Sequence, residues 1–200
     1  MTELKDFMSE APAVTAHRTA QDEYEYPSIW YRFLSNLLDG IFVSILTAPL
    51  SIVNFIIGFS AGTNAANHGR TKVEFTTAQL TIIMLMTLAS LVVSMLYSVL
   101  FTASKWQGTP AKKILGFKVI STSGGKISYG QAFARFALLT LPGSVGGFFI
   151  NAPSPVWQAL GYGAMTLAGI YIIVSAILAS NDKQVRMIHD RVAKTLVIKK

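Results

Sequence analysis

Two charged side chains lie where charge is costly. Asp39 is the only carboxylate within the long apolar stretches of the chain, and Arg32 precedes it by seven residues. At about 100° per residue, these side chains fall within roughly 20° of each other on one helix face. A carboxylate in a membrane-spanning helix costs about 2.5 to 3.5 kcal/mol to insert, so it is usually paired or functional. The chemistry open to it is ion binding. A partly buried aspartate reachable by water can hold Na⁺ or H⁺ in exchange, whereas a neighbouring arginine holds it ionised and weakens it as a proton carrier. A second charged group, His189, Asp190 and Arg191, lies near the C-terminus. If the tail returns to the membrane surface, an Asp190–Arg32 or an Arg191–Asp39 contact comes within reach. Arginine then offers a carboxylate a bidentate fork.

The elements that must position these groups are membrane spans. Only 14% of residues are charged, against about 25% in an average soluble domain. Four apolar stretches are long enough to cross a bilayer, at about 29–59, 80–103, 133–150 and 156–179. Residues 1–26 carry six acids and no apolar run, the pattern of a flexible acidic tail rather than a cleaved signal peptide; residues 27–200 form the transmembrane domain. Assigning segments alternately to the two sides puts fifteen Lys and Arg with the N-terminus, the 104–132 loop and the C-terminus, and two on the other side. That asymmetry makes both termini cytoplasmic. The net charge of +7 therefore reflects loops at the lipid surface, not nucleic-acid binding.

Pro49 in the first span predicts a bend, and Pro142, Gly143, Gly146 and Gly147 predict a kinked or half-broken third span. Small and hydroxyl residues recur at helical spacing in the second span (Thr87, Ser90, Ser94, Tyr97, Ser98) and the fourth (Gly161, Ala164, Ala168, Tyr171, Ser175), which marks faces turned to the bundle interior. In the 104–132 loop, two β-prone runs flank Gly124-Gly125, a hairpin signal over 117–129. A lone hairpin is marginal, so the tail strand 195–199 is expected to join it. The fold class is thus an all-α membrane protein: a four-helix transmembrane bundle with a small cytoplasmic β-sheet. His17, His68 and His189 lie in separate segments, there is no cysteine, and no nucleophile or phosphate-cradling motif occurs. No enzyme, catalytic residue, metal site or cofactor is expected.

With these residues in place, the chain resembles the RDD family of small integral membrane proteins. The carriers are Arg32 in Trp30-Tyr31-Arg32-Phe33-Leu34, Asp39, and Asp190 in His189-Asp190-Arg191 followed by Thr195-Leu196-Val197-Ile198. The loop Gly108-Thr109-Pro110-Ala111-Lys112-Lys113-Ile114-Leu115-Gly116 resembles the family's Gly-Thr-Pro-Gly-Lys stretch, with Ala111 where glycine is usual. The match spans about 27–199. The resemblance implies a multi-pass protein of the bacterial inner membrane. It also implies either Na⁺/H⁺ antiport or an accessory role. Two readings follow. In the first, Asp39 binds the cation while Arg32, His189 and Asp190 tune or gate it. In the second, Arg32, Asp39, Asp190 and Arg191 form a structural network in a membrane scaffold or assembly subunit. Expected partners are the lipid bilayer, Na⁺ or H⁺, and a second copy or another membrane protein.

Overall fold

In a computed structural model, residues 24–150, 152 and 154–199 are described. Residues 1–23 of the expected acidic tail lie outside them. Four long apolar helices are present: α1 Ile29–Asn67, α2 Thr77–Ala103, α4 Tyr129–Phe149 and α5 Pro155–Ser180. Two five-residue helices, α3 Pro110–Ile114 and α6 Ile188–Val192, precede the strands β1 Phe117–Ser121 and β2 Thr195–Lys199. Each long helix can cross a bilayer by length and apolarity.

Local sequence explains most of these boundaries. Helices α2 and α4 begin with capping boxes. The Thr76 and Ser128 hydroxyls accept from the backbone N–H of Gln79 and Gln131, and each glutamine side chain accepts in return from the cap's own N–H. Helix α1 runs about two turns beyond the expected 29–59. With 39 residues it is about 58 Å long, nearly twice a hydrocarbon core of about 30 Å. It stops where Gly69 adopts φ +61°, with Gly69 N–H donating to Ala66 and Arg70 N–H to Ala65. This is a Schellman cap, and glycine takes the left-handed position without penalty. Pro49 and Pro142 each lie inside a helix that continues through them. The third span is therefore a single helix of 21 residues, about 31 Å long, rather than two broken halves.

The small sheet forms from β1 and β2, antiparallel, with Phe117 opposite Lys199 and Ser121 opposite Thr195. The other arm of the expected hairpin contributes one bridge, Ile120 to Lys126, because the Ser128 cap starts α4 before a strand can extend. Strand alternation gives the sheet two apolar faces. Phe117, Val119 and Val197 pack with Ala103, Ile127 and Ala132 towards the bundle. Ile120, Leu196 and Ile198 are covered by Tyr24 and Tyr26. Glu25 lies along the free edge of β2, its carbonyl accepting from Lys199 N–H at 2.8 Å.

The glycine-rich third span is built for close approach to α5. A Cβ on Gly146 would lie 2.5 Å from Met165 Cγ and 2.9 Å from the Gly161 carbonyl oxygen. A Cβ on Gly161 would lie 2.6 Å from the Ile150 nitrogen. Gly143 and Gly147 have open space. Small residues at such crossings let backbones touch, which drives helix association in lipid. Replacing Gly161 with alanine is therefore expected to cost about 1 to 3 kcal/mol, lowering the thermal midpoint in detergent, while Gly143→Ala stays within about 0.5 kcal/mol of wild type.

Candidate functional site

The site lies where the helix ends meet the sheet, and it contains two ion-pair centres. In the first, Asp190 is fully buried between two arginines. Arg32 Nη1 donates to its Oδ2 at 2.5 Å, and Arg135 Nη1 donates to its Oδ1. The Met187 backbone N–H also donates to Oδ2, at 3.2 Å. Arg32 further donates to the Val197 carbonyl of β2 at 3.4 Å, and Arg135 to the Thr195 hydroxyl. One carboxylate thus joins α1, α4, α6 and β2.

In the second centre, Asp39 accepts three hydrogen bonds. They come from Tyr97 Oη on α2 at 3.0 Å, Thr109 Oγ1 at 2.5 Å and Lys112 Nζ at 2.9 Å. Helix α3 positions the lysine. Pro110 occupies its first turn, where no N–H is needed, and Thr109 precedes it in extended geometry. The Lys112 ammonium has two further oxygen acceptors, Asn36 Oδ1 at 3.3 Å and Thr109 Oγ1 at 3.4 Å. Three oxygens thus surround it.

A cavity of about 230 Å³ separates the two centres, lined by Asp39, Tyr97, Lys112, Arg135 and His189 among others. His189 is 4% exposed, its Nε2 is 3.6 Å from Asp190 Oδ1, and its Nδ1 has no protein partner. Burial, reinforced by Arg135, Arg32 and Lys112, pushes His189 down to about 4 against the pull of Asp190. Burial alone would raise Asp190, but the charges of Arg135, His189 and Arg32 outweigh it and hold the carboxyl well below the usual carboxylate range. Burial also lowers Lys112 from the ordinary lysine value, against the opposing attraction of Asp39.

The structure joins Arg32 to Asp190 and brings His189 beside them. It does not join Arg32 to Asp39. The two share a helix face but are about 10 Å apart along the axis, and each has another partner. Arg191 also stays outside the cluster, at 3.3 Å from the Leu178 carbonyl and 3.4 Å from Asp182 Oδ2. Successive residues of a short helix diverge by about 100°, so Asp190 faces inward and Arg191 faces the end of α5. Sequence reasoning missed Arg135, Lys112, Thr109 and Tyr97 as site residues. The signal available was the Gly108-Thr109-Pro110 turn with a lysine one helical step beyond it.

Residues 26–194 match the model of the RDD family, so the chain belongs to that family. A relative from Bacillus subtilis (strain 168), the uncharacterized protein YxaI, is 43% identical over 125 residues, which cover 61% of this chain and 80% of that protein. No solved structure matches. With four apolar helices and this family, the protein is a multi-pass membrane protein.

Two measurements check the geometry. In double-mutant cycles of unfolding free energy, Arg32 with Asp190 and Lys112 with Asp39 are expected to couple by about 1 to 3 kcal/mol, and Arg32 with Asp39 by less than about 0.5 kcal/mol. The second concerns pH. His189 has a lower pKa folded, about 4, than unfolded, about 6.5, so its contribution is complete above pH 6.5. As pH falls towards 4, the unfolded chain takes up a proton that the folded chain refuses. Stability then drops by about 3 kcal/mol. Asp190 begins to lose its own contribution only below about 3.8. His189→Gln is expected to flatten the pH 6.5 to 4 slope in thermal melts; an unchanged slope rules this origin out.

Proposed function

We propose that this RDD-family membrane protein exchanges a small monovalent cation, Na⁺ in the first instance, for a proton, with Asp39 as cation ligand and Lys112 as proton carrier. The observation that carries this reading is the oxygen cage. The Lys112 ammonium, itself a monovalent cation, sits among Asp39 Oδ2, Asn36 Oδ1 and Thr109 Oγ1 at 2.9 to 3.4 Å, beside the cavity that Arg135 and His189 also line. When Lys112 gives its proton to water in the cavity and swings away as a neutral amine, the same oxygens are left for Na⁺. One positive charge leaves and one arrives, so the charge beside Asp39 is conserved. Burial makes that deprotonation easier for Lys112 than for an exposed lysine. In this scheme the proton is carried by Lys112 and not by Asp39, which removes the objection that a paired aspartate is a poor proton carrier.

The route deeper into the membrane is supported by a second cavity, of about 470 Å³, that shares Val43 and Ser94 with the first and is lined by Thr47, Thr87, Ser90 and Ser144. The fifteen-to-two distribution of basic residues supports placing the sheet and both termini in the cytoplasm. Four spans make a small transporter, and a dimer or another membrane protein is proposed to complete it. No covalent catalysis is assigned to any residue.

The second reading is a membrane scaffold or accessory subunit. The Arg32–Asp190–Arg135 centre favours it, because a fully buried carboxylate between two arginines has an obvious structural use.

The deciding experiment uses inside-out vesicles with a preformed pH gradient, to which Na⁺, K⁺ or Li⁺ is added. Wild type is expected to dissipate the gradient. Asp39→Asn and Lys112→Arg are expected to insert normally and fall to the level of vesicles lacking the protein, because the first loses the ligand charge and the second fixes the cation in place. Wild-type vesicles with no cation-dependent flux would sink the transport reading.

A further inference from the structure

On the outer surface of the α1–α2 pair runs an apolar groove of about 660 Å³, lined by Leu46 of α1 and by Val93, Leu96 and Leu100 of α2, and ending at Lys105 and Trp106. Along α2 the apolar lining from Val93 to Leu100 covers about 10 Å, and Trp106, beyond the end of the helix, packs against Phe101. Three aromatic rings form a ladder down its polar end: Tyr97 to Phe101 and Phe101 to Trp106, each with centroids 5.2 Å apart. Lys113 Nζ lies 3.8 Å from the centre of the Trp106 ring. That contact fixes an exposed ammonium on the face of the Trp106 ring, next in sequence to exposed Lys105, and tryptophan and lysine are the residues that favour the headgroup level.

These two lysines differ from most charged residues around them. Lys112 points into the oxygen cage, and Arg32 and Arg135 are bound to Asp190. Among the described residues no carboxylate pairs with Lys105 or Lys113. The groove therefore presents a long apolar channel on a membrane-spanning surface, capped by two unpaired positive charges and an interfacial tryptophan. An occupant must carry an anionic head and an apolar tail of comparable length.

We propose that this groove holds an anionic phospholipid, its acyl chain against Leu46, Val93, Leu96 and Leu100 and its phosphate between Lys105 and Lys113. The charge placement separates this occupant from a neighbouring apolar helix, which would leave both ammonium groups without a counter-charge. It also separates the site from diffuse attraction to a charged membrane, since the lysine on the ring of Trp106 is held in place before the lipid arrives. The proposal does not rest on cation exchange at Asp39, although Tyr97 borders both the groove and the Asp39 centre.

Native mass spectrometry of the detergent-purified protein, titrated with dioleoyl phosphatidylglycerol or dioleoyl phosphatidylcholine, tests the proposal. Phosphatidylglycerol is expected to bind more tightly. Lys105→Gln and Lys113→Gln are each expected to weaken it about fivefold, and the double variant about 25-fold, from the usual contribution of a lysine near an anionic headgroup. Lys126→Gln, an exposed lysine at the sheet turn, should leave affinity unchanged. Dihexanoyl phosphatidylglycerol, with a tail too short to fill the groove, should bind more weakly than the dioleoyl lipid. Equal binding of the two dioleoyl lipids, wild-type affinity in the double variant, or an equal loss in Lys126→Gln overturns the proposal. So does displacement by inorganic phosphate alone, or dihexanoyl binding as tight as dioleoyl.

Discussion

Asp190 is the point on which the basic end of the molecule depends. Its carboxylate has no exposure to solvent, and an ion in that position is tolerated only where charge and hydrogen bonds replace lost hydration. Arg32 and Arg135 supply the charge, and the Met187 N–H supplies a further hydrogen bond. Because these donors come from α1, α4 and the turn before α6, satisfying one carboxylate fixes two spans and the tail together. Strand β2 follows five residues later, and its pairing with β1 then closes the loop between α2 and α4. The contribution is more to a unique arrangement than to gross stability, since a buried ion pair roughly offsets its own desolvation but leaves a large penalty when one partner is removed.

That arrangement creates the second centre. The sheet holds the chain from β1 against the bundle, and the Thr109-Pro110 turn just before it starts α3 over the ends of α1 and α2. Consecutive residues of α3 diverge by about 100°, so the adjacent lysines reach different partners. Lys112 turns inward to Asp39, and Lys113 turns outward to Trp106. A single short helix thereby links the interior cavity with the lipid-facing groove.

Much of this was legible in the sequence, because the strongest signals there have simple physical causes. Four spans follow from apolar length, and the β1–β2 pair follows from the need of a marginal hairpin at 117–129 for a further strand from the tail. The Arg32–Asp190 contact follows from the difficulty of burying either residue alone. What was not legible depends on direction rather than on residue type. Nothing in the order Asp190-Arg191 says which of the two faces inward, and the α6 backbone decides it. Placing Arg32 and Asp39 on one helix face was sound geometry, but a shared face does not make contact across two turns when nearer partners exist. Those partners, Lys112 and Arg135, lie 73 residues from Asp39 and 55 residues from Asp190, so only the tertiary fold brings them in.

The charges around the cavity do not balance, and this bears on which residue can change state. Arg32, Arg135 and Lys112 supply three positive charges against the two carboxylates of Asp39 and Asp190, with His189 neutral near pH 7. An unbalanced charge in a site of low polarity is relieved most readily by the group that releases a proton at least cost. Guanidinium groups keep their protons in proteins, and Asp190 is held ionised by its arginines. Lysine alone among the three cations can become neutral, and Lys112 is the one whose ammonium is caged by oxygens that a metal cation also favours. The triad at Asp190 is thus a fixed element, and the excess charge it places near the cavity favours a labile proton on Lys112. The structural network and the proposed exchange site are then parts of one electrostatic arrangement rather than competing accounts of the same residues.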